Sequence, residues 1–231
     1  MRQFYLFTRS IRLTYELFNP ILIFILLIFF VCPAFSCGID QLKAFVSQVH
    51  TAKGNFVQKI VKSYTSANNS KQAILNTETS NGTFIFSRPA KFIWSYQRPY
   101  QEVLQSDGNT LYIYDYDLNQ VIEHSLSSEI NSNPAAILFV SNLLLEKDYT
   151  LHNAGKKDEI EWINLIPKTK ENIQFKKISI GFQANILKTM KLYDLFNNIT
   201  LLTFSKVEIN PILNNYQFKF IFPTCVDVIK G

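Results

Sequence analysis

From residue 83 to residue 124 the chain alternates with a period of two and is broken at short intervals by turn signals. That rhythm constrains the fold more than any other feature. Thr83 to Ser87, Lys91 to Gln97, Gln101 to Gln105, Thr110 to Tyr114 and Gln120 to His124 each read as a short strand. Arg88-Pro89, Arg98-Pro99, Asp107-Gly108-Asn109 and Tyr116 to Asn119 separate them, as turns separate the strands of an antiparallel meander. Before them, Phe56, Gln58 and Ile60 share one face of a strand and Val57 and Val61 the other. After them come strand-like runs near Tyr149 to Asn153, Glu161 to Ile166, Lys176 to Phe182, Ile186 to Tyr193 and Ile199 to Val207, and a last strand at Tyr216 to Phe222. So many strands in one chain predict a large antiparallel sheet that must curl.

Helical spacing is confined to short pieces. Ile39, Leu42, Phe45, Val46 and Val49 recur on one helix face, with Asp40 near its start and Gly54 beyond its end. Asn133 to Val140 reads as a second helix, capped by Asn133 with Pro134 in its first turn. Pro211 to Asn215 fits one helical turn, and the polar stretch Lys62 to Ser80 fits a mobile hairpin connection. The helices are apolar enough to cover the concave face of the sheet. With 231 residues, 47% hydrophobic, and 20 Phe among them, the chain can bury the core of one domain.

A net charge of +5 raises the question of an anionic partner, and the distribution answers it. Arg2, Arg9 and Arg12 crowd the N-terminus, while the other cations are scattered among acids, so nucleic-acid binding is not expected. Those arginines precede the apolar run Ile21 to Val31, and Ala34 and Ser36 then place small residues before Cys37. This is a secretory signal pattern, too short between Pro20 and Pro33 for a membrane span. Residues 1–36 are expected to be a signal peptide cleaved after Ser36, and residues 37–231 one exported domain. The bulky Phe35 makes Cys37 a poor lipidation site. Cys37 and Cys225 remain in the mature chain, enough for one disulfide between the first helix and the tail but not for a disulfide framework or a Cys-rich zinc site.

Enzyme chemistry has little to stand on. There is no Gly-x-Ser-x-Gly elbow, no nucleotide-binding Gly-Lys-Ser/Thr run, and His50, His124 and His152 lack metal-ligand spacing. Asp115 and Asp117 flank Tyr116 in a turn, where aspartates are common. No catalytic residue, metal or cofactor is expected; a lipid esterase is the enzyme alternative.

The run Ser87-Arg88-Pro89-Ala90-Lys91-Phe92-Ile93-Trp94-Ser95-Tyr96, followed by Pro99, Ser106-Asp107-Gly108 and Leu111 to Asp115 through Gln120-Val121, resembles the signature region of the bacterial outer-membrane lipoprotein carrier family, LolA. Phe56-Val57-Gln58, Asn133-Pro134, Phe218 to Pro223 and Val226-Asp227-Val228 extend the resemblance from about Ile39 to Ile229. Cys225 departs from it, standing where a glycine is expected. The resemblance implies an unclosed antiparallel β-barrel of about eleven strands, mainly β with a helical lid, enclosing a hydrophobic cavity. It implies a monomeric periplasmic chaperone that takes lipoprotein acyl chains from an inner-membrane ABC-type releasing complex to an outer-membrane receptor. The same fold also serves lipid-anchored receptors and lipid-sensing modules.

The candidate cavity residues are Phe56, Phe84, Phe86, Phe92, Trp94, Tyr96, Ile137 and Phe139. Arg88 shares the parity of Phe84 and Phe86, which puts a cation in line with an aromatic face. Two readings of it stand. By resemblance, Arg88 reaches helix-end carbonyls in the lid and holds it shut; alternatively it lies at a rim and snorkels into water.

Overall fold

The computed structural model describes residues 37–64, 73–126, 142–170 and 173–231. Helix α1 (Gly38–Gln48) leads into β1 (Thr51–Tyr64), followed by β2 (Ala73–Ser87), β3 (Lys91–Arg98), β4 (Glu102–Asp107), β5 (Thr110–Asp115) and β6 (Gln120–Ser125). Then come α2 (Asn142–Asp148), β7 (Tyr149–Lys157), β8 (Ile160–Pro167), β9 (Phe175–Gln183), β10 (Ile186–Asp194), β11 (Ile199–Ile209), a 3-10 turn (Asn215–Phe218) and β12 (Asp227–Lys230). All twelve strands belong to one sheet, ordered β12-β6-β5-β4-β3-β2-β1-β11-β10-β9-β8-β7. Neighbours are antiparallel except β12, which runs parallel to β6. β7 and β12 stand at opposite ends of that order, so the barrel is unclosed.

The curl can be read from one side chain. Phe86 on β2 and Phe182 on β9 lie four strand steps apart in the order, about 19 Å in a flat sheet. Both nevertheless touch the Phe45 ring, with centroids 6.4 and 5.6 Å away. Only a strongly curved sheet lets its inner side chains converge so far. Leu42, Phe45 and Val46 bury the apolar face of α1 in this concavity, over β7, β8 and β9.

Along the central strands most inward positions are apolar. Phe56 faces Phe204, Phe84 faces Trp94, Ile178 faces Leu165 and Leu192, and Ile180 faces Ile163 and Met190. All are nearly inaccessible. Burial of this much apolar surface is the main stabilising contribution to the fold.

Four expectations change. Lys62 to Ser80 is not mainly a connection: β1 and β2 pair as far as Tyr64 with Ala73, because ladder hydrogen bonds do not need an apolar pattern. Tyr216 to Phe222 is not a strand. Phe218 is buried against the outer face of β3 and β4, and Phe220 stacks on Tyr112 at 4.5 Å, so the alternation there records one-sided packing of a tail. The last strand is β12. Helix α2 was not expected at all, whereas the expected helix Asn133 to Val140 lies outside the described residues.

The cysteine pairing is not formed. Cys225 is an exposed thiol near the turn before β6, and the Cys37 sulfur accepts a hydrogen bond from Asn153 on β7 at 3.3 Å. Cys225 adopts φ 57, the left-handed region that favours glycine. The expected glycine position is therefore real, and a cysteine occupies it at some cost.

Candidate functional site: the concave face and its hydrogen-bonded end

The β2–β3 hairpin sets the aromatic wall. Phe84 and Phe86 on one strand and Phe92 and Trp94 on the next point the same way because of the pleat, and Phe56 on β1 joins them. Trp94 stacks on Phe56 at 4.1 Å and lies 5.8 Å from Phe84, which meets Phe204 edge-on at 5.6 Å. Gly82 makes room for this. A Cβ there would collide with the Ser95 carbonyl oxygen and come within 2.9 Å of the Phe56 ring.

At the end of β2 the wall meets α1. The helix stops at Gln48, and Val49 and His50 carry the chain into β1 in extended conformation at Val49. Carbonyls at a helix C-terminus have no partner within the helix. Arg88 supplies two: its Nε donates to Val49 O at 2.8 Å, and its backbone N–H donates to His50 O at 2.8 Å. The guanidinium carbon lies 5.2 Å from the Phe86 ring centroid and 5.6 Å from that of Phe45, within cation–π range. Burial pushes the Arg88 pKa down to about 10, so it stays charged at neutral pH. The cation thus sits half-buried between the aromatic wall and the helix end.

The opposite end is built differently. Tyr96 donates from its hydroxyl to Gln58 Oε1 at 3.1 Å, and burial pushes its pKa up to about 12. Beyond that pair opens a cleft of about 570 Å³ lined by Gln58, Ile60, Tyr96, Phe175, Phe196 and Thr200 among others. Glu102, across from Tyr96 on β4, has its carboxyl held above the usual range by burial and then by the charge of Asp115.

Of the expected cavity residues, Phe56, Phe84, Phe86, Phe92 and Trp94 are brought together, each 1–2% exposed, and Tyr96 is partly buried beside them. Ile137 and Phe139 lie outside the described residues. The expected set omits Phe45, Phe182, Phe204 and Met190, which complete the same concave core from α1 and the other half of the sheet. Strand parity was available as a signal for Phe182, Met190 and Phe204, and helical spacing for Phe45. The Val49 carbonyl had none, since a backbone acceptor has no residue signature.

An open, curled sheet with an aromatic concave face and a helix laid across it defines a scaffold for holding an apolar group. Residues 47–221 match the profile of the family described as outer membrane lipoprotein carrier protein LolA. The chain belongs to that family. It is 48% identical over 197 residues to the outer-membrane lipoprotein carrier protein of Cupriavidus pinatubonensis, covering 85% of this chain and 89% of that one. It is 50% identical over 193 residues to the protein of the same name from Ralstonia nicotianae, covering 84% and 87%. With that of Nitrosomonas europaea it shares 37% identity over 199 residues, covering 86% and 91%.

Proposed function

We propose that the chain is a periplasmic carrier that shelters the acyl chains of lipoproteins on its concave face, with Arg88 as the latch of the lid. The observation that supports this best is the junction of wall and helix, where one half-buried cation ties the end of α1 beside Phe86. Cargo is taken from an inner-membrane ABC-type releasing complex and given to an outer-membrane receptor, by a monomer and without a cofactor.

The energetics support such a latch. Sheltering acyl chains at roughly 0.8 kcal/mol per CH₂ reaches tens of kcal/mol, which by itself would make delivery too slow. In the closed state Phe56, Phe84, Phe86, Phe92 and Trp94 fill the concavity themselves. Loading must break those contacts and the Arg88 bonds, and unloading regains them. The closed state is the competitor that helps to expel cargo.

A two-step transfer assay, scoring loading and delivery separately, tests the reading. Arg88→Leu should fold and load, and should accumulate cargo instead of passing it to the receptor. Phe92→Glu should fail at loading, because it places a charge in the apolar lining. Delivery by Arg88→Leu at the normal rate would sink the latch; failure of the unaltered protein to load would sink the carrier. Mass spectrometry of the exported protein should find an unmodified Cys37 at its N-terminus. A diacylglycerol mass there would point to an anchored receptor.

A further inference from the structure

We propose that Asn210 is a second positioning residue of the lid, clasping the hinge between α1 and β1 from the side opposite Arg88. The hinge is short, and its polar backbone groups are held by two residues, Arg88 just after β2 and Asn210 just after β11. Asn210 follows β11 directly. Its Oδ1 accepts from His50 N at 2.8 Å and from Thr51 N at 3.3 Å, and its Nδ2 donates to Gln48 O at 2.9 Å. Its own N–H donates to Thr51 O at 2.8 Å, and Thr51 Oγ1 donates to Pro211 O at 2.8 Å.

With the two Arg88 bonds, the carbonyls of Gln48, Val49 and His50 are each bound from outside the helix. Three consecutive carbonyls held by two residues, Gln48 O and Val49 O by side chains and His50 O by the Arg88 backbone N–H, fix the exit angle of α1, and with it the depth to which Phe45 reaches between Phe86 and Phe182. The two holds differ in setting. The Arg88 bond is partly buried beside aromatic rings, whereas the Asn210 bonds are exposed, where water can replace them as the hinge moves. Asn210 is therefore the half of the clasp that can be remade in water each time the lid closes.

The ordinary explanation for an asparagine here is its backbone, since φ is 53 and asparagine tolerates the left-handed region. Two substitutions separate the explanations. Asn210→Gly keeps that conformation and removes every side-chain bond; Asn210→Asp keeps the acceptor for His50 N and loses the donor to Gln48 O.

Amide hydrogen exchange on the whole exported protein reads the hinge without cargo. Asn210→Gly should exchange about tenfold faster at Val49, His50 and Thr51, with β9 and β10 unchanged. Asn210→Asp should leave His50 protected while the end of α1 frays. In the transfer assay Asn210→Gly should slow delivery in the direction of Arg88→Leu; this part rests on the carrier reading, and the exchange part does not. Unchanged exchange in Asn210→Gly would make the residue a turn former only. Faster exchange across β9 and β10 as well would make it a general contributor to the fold, and either result overturns the proposal. Failure of the unaltered protein to load would end the carrier reading and leave the exchange result standing.

Discussion

The two ends of the concave face are built from different chemistry. At one, Arg88 and Asn210 close on the end of α1 through hydrogen bonds to three consecutive carbonyls. At the other, the hairpin loops expose Tyr100, Tyr116, Leu118, Leu195 and Phe196, and the cleft below Tyr96 stays open. Hydrogen bonds exchanged with water contribute little net free energy but demand exact geometry, so they suit a closure that must be made and broken in one register. Exposed apolar loops have no such register and carry a standing cost in water, which is offset when an apolar group meets them.

The strongest test of this contrast sets the wall against the open end. Trp94→Ala removes a ring that is 2% exposed and stacked on Phe56, and should lower stability by about 3–5 kcal/mol in urea unfolding. Phe196→Ser removes a ring that is 80% exposed and should change stability by no more than about 0.5 kcal/mol. Comparable losses would mean that the open end is part of the core and that the contrast fails.

A smaller effect is expected at the tail that crosses behind the wall. Cys225→Gly relieves a left-handed φ of 57 and should raise stability by about 0.5–1 kcal/mol, the relief being partly cancelled by the freer unfolded glycine. A fall in stability would show that the thiol makes a contact worth more than the backbone strain.

The smallest effect belongs to Glu102, and it depends on pH. Burial, then Asp115, holds its carboxyl above the usual range, so the folded chain binds that proton more tightly than the unfolded chain does. The ionised form therefore costs stability, fully above the raised value and not at all below the usual carboxylate range. Glu102→Gln should be slightly more stable than the unaltered protein at neutral pH, and the gain should vanish by about pH 4. A gain that persists in acid would assign it to packing, removing electrostatics from the account of the open end.

Much of this was legible in the residues. The pleat forces Phe84, Phe86, Phe92 and Trp94 to one side once the strands are placed, and Pro and Gly mark where the strands stop. Ladder hydrogen bonds carry no side-chain signature, which is why the β1–β2 pairing as far as Tyr64 and Ala73 is not legible in the residues. The alternation of Phe218, Phe220 and Phe222 misleads for the converse reason: a tail lying on a sheet can turn every second ring toward it as a strand does, without a ladder, with Phe218 buried and Phe220 and Phe222 against Tyr112.

By itself, then, the sequence determined the class of fold, the face on which the aromatics stand, and an arginine aligned with them, because side-chain parity is a local property of an extended chain. Only the tertiary structure decided what that arginine grasps. The Val49 carbonyl, Asn210 on the far side of the hinge and Phe45 wedged between Phe86 and Phe182 come together through the curvature of twelve strands, and curvature accumulates over the whole sheet instead of being specified by any one segment.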